Sequence, residues 1–150
     1  MNKYSKYQKK AIRAALSAIE QHLTDNSTMT STQDVELYLK VQLGGEPEEC
    51  FGVMFLTSQH QFISFENLFR GTINIANIHV RVIARKALES NAAAVILAHN
   101  HPSGVAEPSS SDRMITELIR TALDMFDVKV LDHFVVSPDE TCSFADRGWM

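Results

Sequence analysis

Apolar residues recur along this chain with two periods, and the switches between them set out the expected elements. Ile12, Ala15, Leu16, Ile19 and Leu23 repeat at three- and four-residue spacing, which predicts an amphipathic helix over about residues 5 to 23, ending before Thr24-Asp25-Asn26-Ser27. Ser31 with Asp34 reads as an N-terminal cap, and Val35, Tyr38, Leu39 and Leu43 continue a second helix until Gly44-Gly45. The acidic lead-in Glu46-Pro47-Glu48-Glu49 then gives way to Cys50-Phe51-Gly52-Val53-Met54-Phe55-Leu56, a strand of buried character. A turn at Ser58-Gln59-His60-Gln61 leads into Phe62-Ile63-Ser64-Phe65 and predicts a hairpin.

After Arg70-Gly71-Thr72 the chain reads as extended or loop to His79, and Val82, Ile83, Ala87 and Leu88 stripe a third helix that breaks at Ser90-Asn91. The run Ala92-Ala93-Ala94-Val95-Ile96-Leu97-Ala98 has the length and composition of a strand buried on both faces. Pro102, Gly104 and Pro108 exclude a helix directly after it; Ser109-Ser110-Ser111-Asp112 then opens one whose broad apolar face is Met114, Ile115, Leu118, Ile119, Ala122 and Phe126, with Met114 and Met125 read as packing residues. A strand over Val128 to Val136, a turn at Ser137-Pro138-Asp139-Glu140 and a short strand from Thr141 to Ala145 complete the pattern. Alternating helices and strands predict an α/β (α+β) fold, a mixed sheet with helices on both faces. Residues 1–27 are expected to be an N-terminal helical extension, of which residues 1–26 are dispensable for folding, and residues 28–150 the main domain.

Composition narrows the class. At 150 residues, 45% hydrophobic and 21% charged, the chain suits one ordinary globular domain with its own core. It has no run of the roughly 20 apolar residues that a membrane span needs, and its start, rich in lysine, lacks the apolar core of a signal peptide, so a cytoplasmic protein is expected. The formal net charge of -4 gives no whole-protein nucleic-acid footprint; the basic start, Lys3, Lys6, Lys9, Lys10 and Arg13, reads as a solvated helix face. Two cysteines, Cys50 and Cys142, make neither a disulfide framework nor a Cys-x-x-Cys metal knuckle, which disfavours a zinc nucleobase deaminase.

The chemistry concentrates in His99-Asn100-His101-Pro102-Ser103-Gly104 and Asp112. Catalytic zinc is commonly held by three His, Asp or Glu side chains, with water in the fourth place. His99 lies at a strand end, and residues i and i+2 of an extended chain face the same side, so His99 and His101 can converge while the loop folds back to bring Asp112 alongside. Taken singly, each has a plainer explanation: a strand-end histidine is often polar surface, and an aspartate in a first helical turn answers the helix dipole.

His-x-His-Pro, then Asp after ten intervening residues from the second His, with Ser three positions before that Asp, resembles the JAMM (JAB/MPN+) metal motif. The run from Asn91 to Ser109 is similar to the RadC branch, in which Asn stands between the two His where Ser or Thr is usual; Phe69-Arg70-Gly71-Thr72 and Val130-Leu131-Asp132-His133 look like further RadC elements. The resemblance covers roughly residues 30 to 150 and implies a JAMM-type, cytidine-deaminase-like fold, a Zn2+ cofactor held by His99, His101 and Asp112, and cleavage of peptide or isopeptide bonds. It implies a catalytic glutamate at the entry of the first core strand, matched by Glu49 with Glu46 and Glu48 as near alternatives. It implies an oxyanion-stabilising serine, matched by Ser109, which is also an ordinary N-cap alongside Ser110 and Ser111. His133 or Asp132 would approach the site and orient a ligand imidazole, or be structural.

Many RadC-like proteins carry a helix-hairpin-helix region ahead of the metal domain, and one helix does not supply it, so DNA binding through that module is not expected. Where those relatives read His-Pro-Arg-Glu, this chain has His79-Val80-Arg81-Val82, so no role passes to an acidic residue there. Three functions follow in order: a zinc metallopeptidase or isopeptidase acting on a peptide or protein, a hydrolase associated with DNA repair, and a metal-stabilised binding module without catalysis. An iron oxygenase ranks lower, since its ligand set is borne on other folds. A homodimer is compatible with the sequence.

Overall fold

The computed structural model describes residues 3–25 and 30–150; the expected boundary between residues 27 and 28 lies outside them. Four helices, α1 (Lys6–Asp25), α2 (Thr32–Leu43), α3 (Val80–Glu89) and α4 (Ser110–Asp124), accompany five strands, β1 (Cys50–Leu56), β2 (Phe62–Arg70), β3 (Ala94–Asn100), β4 (Lys129–Val136) and β5 (Thr141–Ser143). The strands form one mixed sheet in the order β2-β1-β3-β4-β5, in which only β3 and β4 run parallel. That parallel pair requires a crossover, and α4 supplies it. The expected α+β architecture is the observed one, with β2 running on to Arg70, beyond the hairpin core read from sequence.

Both faces of the sheet are covered, which is why β1 and β3 read as unbroken apolar runs. Phe51, Val53 and Phe55 of β1 and Val95 and Leu97 of β3 meet Ile83 and Ala87 of α3 and Ile115, Ile119 and Leu123 of α4. On the opposite face Met54, Leu56, Ile96 and Ala98 meet Val35, Tyr38, Leu39 and Leu43 of α2. The first of these faces carries His99, because His99 follows Leu97 by two residues in an extended strand.

A bulge decides what β4 contributes. Val130 pairs with Val95, but Ile96 pairs with Asp132, so Leu131 is the extra residue. Regular alternation would carry the face of Val130 on to Asp132. The extra residue instead brings His133 to that face, opposite Leu97, and turns Asp132 away, where its carboxylate accepts from the Ser143 hydroxyl (2.6 Å) and the Ala145 N–H (2.9 Å).

Two packing expectations change. On α4 the buried stripe is Asp112, Ile115, Thr116, Ile119 and Leu123, whereas Met114, Leu118, Met125 and Phe126 are exposed. The helix stops at Asp124, and its buried face lies one position round from the broad stripe inferred from the apolar residues alone. α1, for its part, does not stand apart from the core. Leu23 is 2% exposed within the α2-side cluster, Leu16 and Ile19 pack against that cluster, and the Tyr38 hydroxyl donates to the Glu20 carboxylate at 2.6 Å. Burial, reinforced by that carboxylate, pushes the Tyr38 phenol well above its usual range. No helix among the described residues is long and apolar enough to cross a membrane.

This packing predicts that Leu23→Ala destabilises the whole fold by about 2–5 kcal/mol, the range for emptying a buried leucine site. Equilibrium urea denaturation measures it. A change within about 0.5 kcal/mol, as for an exposed surface position, would show that α1 lies off the core.

Candidate metal centre

Three pieces of backbone deliver the side chains of the candidate centre. β3 ends with His99, fully enclosed, and Asn100; one residue further, His101 is held in line with the strand because its N–H donates to the Val136 carbonyl at 2.8 Å. The loop then reverses at Gly104, whose φ of +97° favours glycine, and the His101 imidazole reaches the Val105 carbonyl through Nδ1 at 3.0 Å. Ala106 is buried beside Val135 and Phe144, and its N–H donates to the Glu140 carboxylate at 3.0 Å. The Glu107 carboxylate takes two bonds from Arg147, at 2.6 and 2.7 Å. The C-terminal segment thus latches the loop that carries His101 back to α4.

Ser109 is the N-cap of α4. Its hydroxyl accepts from the Asp112 N–H at 3.1 Å while Asp112 Oδ2 accepts from the Ser109 N–H at 2.7 Å, a reciprocal capping box that holds the Asp112 carboxylate at the mouth of the helix. Oδ1 and Oδ2 of that carboxylate then lie 3.3 Å from His99 Nε2 and 3.6 Å from His101 Nε2, and the two Nε2 atoms are 3.1 Å apart. Metal bonds of about 2.0–2.1 Å at tetrahedral angles place neighbouring ligand atoms roughly 3.3 Å apart. The three side chains therefore suit one small cation at their centre, and among the described residues they are the group able to hold a metal ion.

The donor chemistry fits as well. The Val105 carbonyl only accepts, so His101 carries a proton on Nδ1 and directs Nε2 into the cluster. Lone pairs facing a carboxylate repel unless a proton or a metal ion lies between them. Without a metal the proton is held firmly: the bond to Asp112 raises the His101 pKa against the cost of burial, with help from the Val105 carbonyl and the charges of Asp112 and Glu49. Burial acts to raise the Asp112 carboxyl, but bonds to His101, His99 and the Ser109 N–H outweigh it and keep the group well below the usual carboxylate range.

Of the three candidate glutamates, one faces this cluster. Glu46 is buried and paired with Arg70 at 3.1 Å, and Glu48 is exposed. Glu49 is half-buried and shares the face of Phe51, whose ring stacks on the His99 imidazole with centroids 6.2 Å apart. Its Oε2 accepts from the Ile73 N–H at 2.8 Å and its carbonyl from the Gly71 N–H at 2.9 Å, so the start of the 71–79 loop is fastened to the same residue. The serine position is exposed at the mouth; Ser109, not Ser110 or Ser111, is the cap.

The structure also brings in residues that sequence reasoning did not assign. Asn100, between His99 and His101, is 2% exposed; its Oδ1 accepts from the Cys50 N–H at 2.6 Å and its Nδ2 donates to the Glu48 and Glu46 carbonyls at 2.9 and 3.3 Å, clamping the segment that bears Glu49 onto β3. Of Asp132 and His133, the bulge selects His133, which is fully enclosed, 2.8 Å from His99 Nδ1 through Nε2 and 2.6 Å from the Thr116 hydroxyl through Nδ1. Burial, with no bulk water to solvate a charge, pushes His133 well below the ordinary imidazole range. Thr116 had a signal in the sequence: it follows Asp112 by four residues and so lies on the same helix face.

Comparison with known proteins agrees with this architecture. A family model described as a RadC-like JAB domain matches residues 29–149. The chain is 47% identical over 143 residues to a UPF0758 protein of Ectopseudomonas mendocina, covering 93% of this chain and 64% of that protein. It is 50% identical over 131 residues to a UPF0758 protein of Nitrosomonas eutropha, covering 87% and 58%, and 48% identical over 137 residues to one of Leptothrix cholodnii, covering 91% and 62%. The chain thus spans 58 to 64% of the length of these curated relatives. With the whole sheet, His99, His101, Asp112 and Ser109 inside the matched span, the chain belongs to the family of RadC-like JAB-domain proteins.

Proposed function

We propose that this chain is a zinc-dependent hydrolase of JAMM type that cleaves a peptide or isopeptide bond in a peptide or protein substrate in the cytoplasm. The observation that carries the reading is the convergence of His99, His101 and Asp112 at ligand spacing with Glu49 on the same face of the sheet. His99, His101 and Asp112 would hold the zinc ion, which when bound would supply an activated water with its pKa lowered to about 7. The residues do the rest. Glu49, anchored through one carboxylate oxygen by the Ile73 N–H, takes the attacking water's proton and delivers it to the leaving amine. Ser109 spends its oxygen lone pair on the Asp112 N–H, which leaves its hydroxyl proton to donate to the carbonyl oxygen as negative charge develops there. The enclosing rings of Phe51 and His133 keep the rear of the cluster dry.

The formal charge of -4 favours a peptide over a polyanion. The test is a proteome-derived peptide library incubated with the zinc-loaded chain beside a chelated control. Chelator-sensitive cleavage is expected; cleavage of duplex or damaged DNA in place of peptides would move the activity to the repair class, and zinc binding with no turnover of either would make the chain a metal-stabilised module.

Two predictions follow from the site. Zinc-loaded protein carries close to one equivalent of metal, and His99→Ala and Asp112→Ala each lose it, by elemental analysis after gel filtration. Uptake displaces the firmly held His101 proton, so apparent affinity by chelator competition falls as pH drops from about 8 to about 6. Equal zinc in the variants and the parent would refute the ligand assignment.

Glu49→Gln keeps size and the bond to Ile73 but cannot accept a proton. It should retain zinc while turnover of a cleavable peptide drops by roughly 10² to 10⁴. Glu48→Gln, exposed and on the other face, should change turnover by less than about twofold. The reverse pattern would move the base to Glu48, and silence of both would remove a glutamate of this strand mouth from the mechanism.

A further inference from the structure

Behind the candidate ligands runs a chain of hydrogen bonds that ends on His99 Nδ1, the ring nitrogen turned away from the cluster. Thr116 Oγ1 lies 2.7 Å from the Asp112 carbonyl and 2.6 Å from His133 Nδ1, and His133 Nε2 lies 2.8 Å from His99 Nδ1. Thr116, His133 and His99 are each no more than 1% exposed, so water does not compete for these bonds. We propose that Thr116, acting through His133, is the positioning residue that keeps the proton of His99 on Nδ1 and its Nε2 lone pair open to the metal.

The direction of the chain follows from its end. A threonine hydroxyl has one proton, and the Asp112 carbonyl can only accept, so the 2.7 Å bond places that proton on the carbonyl side. The same oxygen must then accept from His133, which puts the His133 proton on Nδ1. His133 Nε2 is left as an acceptor, and the bond at 2.8 Å requires His99 to donate from Nδ1. The remaining nitrogen, His99 Nε2, is the atom 3.3 Å from Asp112 Oδ1.

A second register exists in which every proton moves one place. Were the hydroxyl turned toward His133, that ring would donate from Nε2, His99 would accept on Nδ1, and its proton would point into the cluster where the metal belongs. The Asp112 carbonyl, presented to Thr116 by the i to i+4 geometry of α4, selects between the two. The ligand aspartate thus directs the tautomer of a ligand histidine through its own backbone. Removing the hydroxyl releases the choice: His133 has no partner left for a proton on Nδ1 and does best by donating to His99 instead.

The inference rests on the metal reading for its consequence but not for its test. Imidazole ¹⁵N shifts of the metal-free wild-type chain near neutral pH should show His99 protonated on Nδ1; an unprotonated Nδ1 overturns the relay whatever the chain binds. In Thr116→Val, which keeps the shape and loses the hydroxyl, that proton should move to Nε2, and zinc affinity by chelator competition should fall roughly 10- to 100-fold, the usual effect of losing a partner behind a metal ligand. Thr116→Ser should restore both. His133→Phe should cost a similar factor and make Thr116→Val silent in its background, since the two act in series. Unchanged zinc affinity and an unchanged His99 tautomer in Thr116→Val would refute the proposal, as would additive losses in the double variant. Failure of the wild-type chain to bind zinc would instead refute the metal reading, leaving the relay to be decided by the nitrogen shifts.

Discussion

Electron-rich atoms from three side chains are packed 3.1 to 3.6 Å apart in a corner where two of the residues are almost wholly enclosed. Nothing about apolar burial favours that arrangement. Each buried polar group without a partner costs about 1–3 kcal/mol, more if charged, and like-signed lone pairs aimed at one point add to the cost. The fold is consistent with it because every other polar atom of the corner is matched. His101 Nδ1 has the Val105 carbonyl, His99 Nδ1 has His133, His133 has Thr116, and Asp112 Oδ2 has the Ser109 N–H. The atoms left over are all directed at a single centre, the condition for binding a cation well.

The same constraint explains the detail of the scaffold around it. The antiparallel register of β1 on β3 sets Phe51 against His99, and the clamp from Asn100 to the 46–50 segment joins the ligand strand to the strand mouth bearing Glu49. Ligand and glutamate therefore shift together if the sheet breathes. The positive end of the α4 dipole faces Asp112 and favours its charged form before any metal arrives. The pairing of buried Glu46 with the exposed Arg70 fixes the lead-in from the other side, and removes Glu46 from contention as a base.

Much of this was legible in the sequence because it is local. The apolar runs of β1 and β3, the serine cap of α2, the Pro and Gly loop after His101 and the spacing of His99, His101 and Asp112 each depend on neighbours a few residues away. What escaped depends on partners far along the chain. The choice of His133 over Asp132 turns on one bulged residue, Leu131, which no alternation pattern discloses, since Val130 and His133 are three apart and still share a face. Asn100 reads from sequence as a substitution in a motif; its use is set by backbone atoms some fifty residues earlier. The α4 stripe was misread because Met114, Leu118 and Phe126 are apolar and yet exposed, while Asp112 and Thr116 are polar and buried: hydrophobic pattern ranks residues by water affinity, and here hydrogen bonding decides who goes inside.

Fold and site draw on the same groups at the start of α4. A helix N-terminus has N–H groups with no partner of their own, and a capping box satisfies two of them with one serine and one acidic side chain. Ser109 and Asp112 do this work while each keeps a valence unspent: the serine its hydroxyl proton, the aspartate its second oxygen toward His99. Cap and proposed chemistry are therefore not rival explanations of these residues. A cap holds a side chain with one defined atom engaged and another defined atom presented, which is the rigidity a metal ligand and an oxyanion donor require. Thr116 extends the logic one turn further, engaging a helical carbonyl on one side and an imidazole on the other, so that the backbone of α4 orients both the carboxylate and, through two buried rings, the nitrogen facing it.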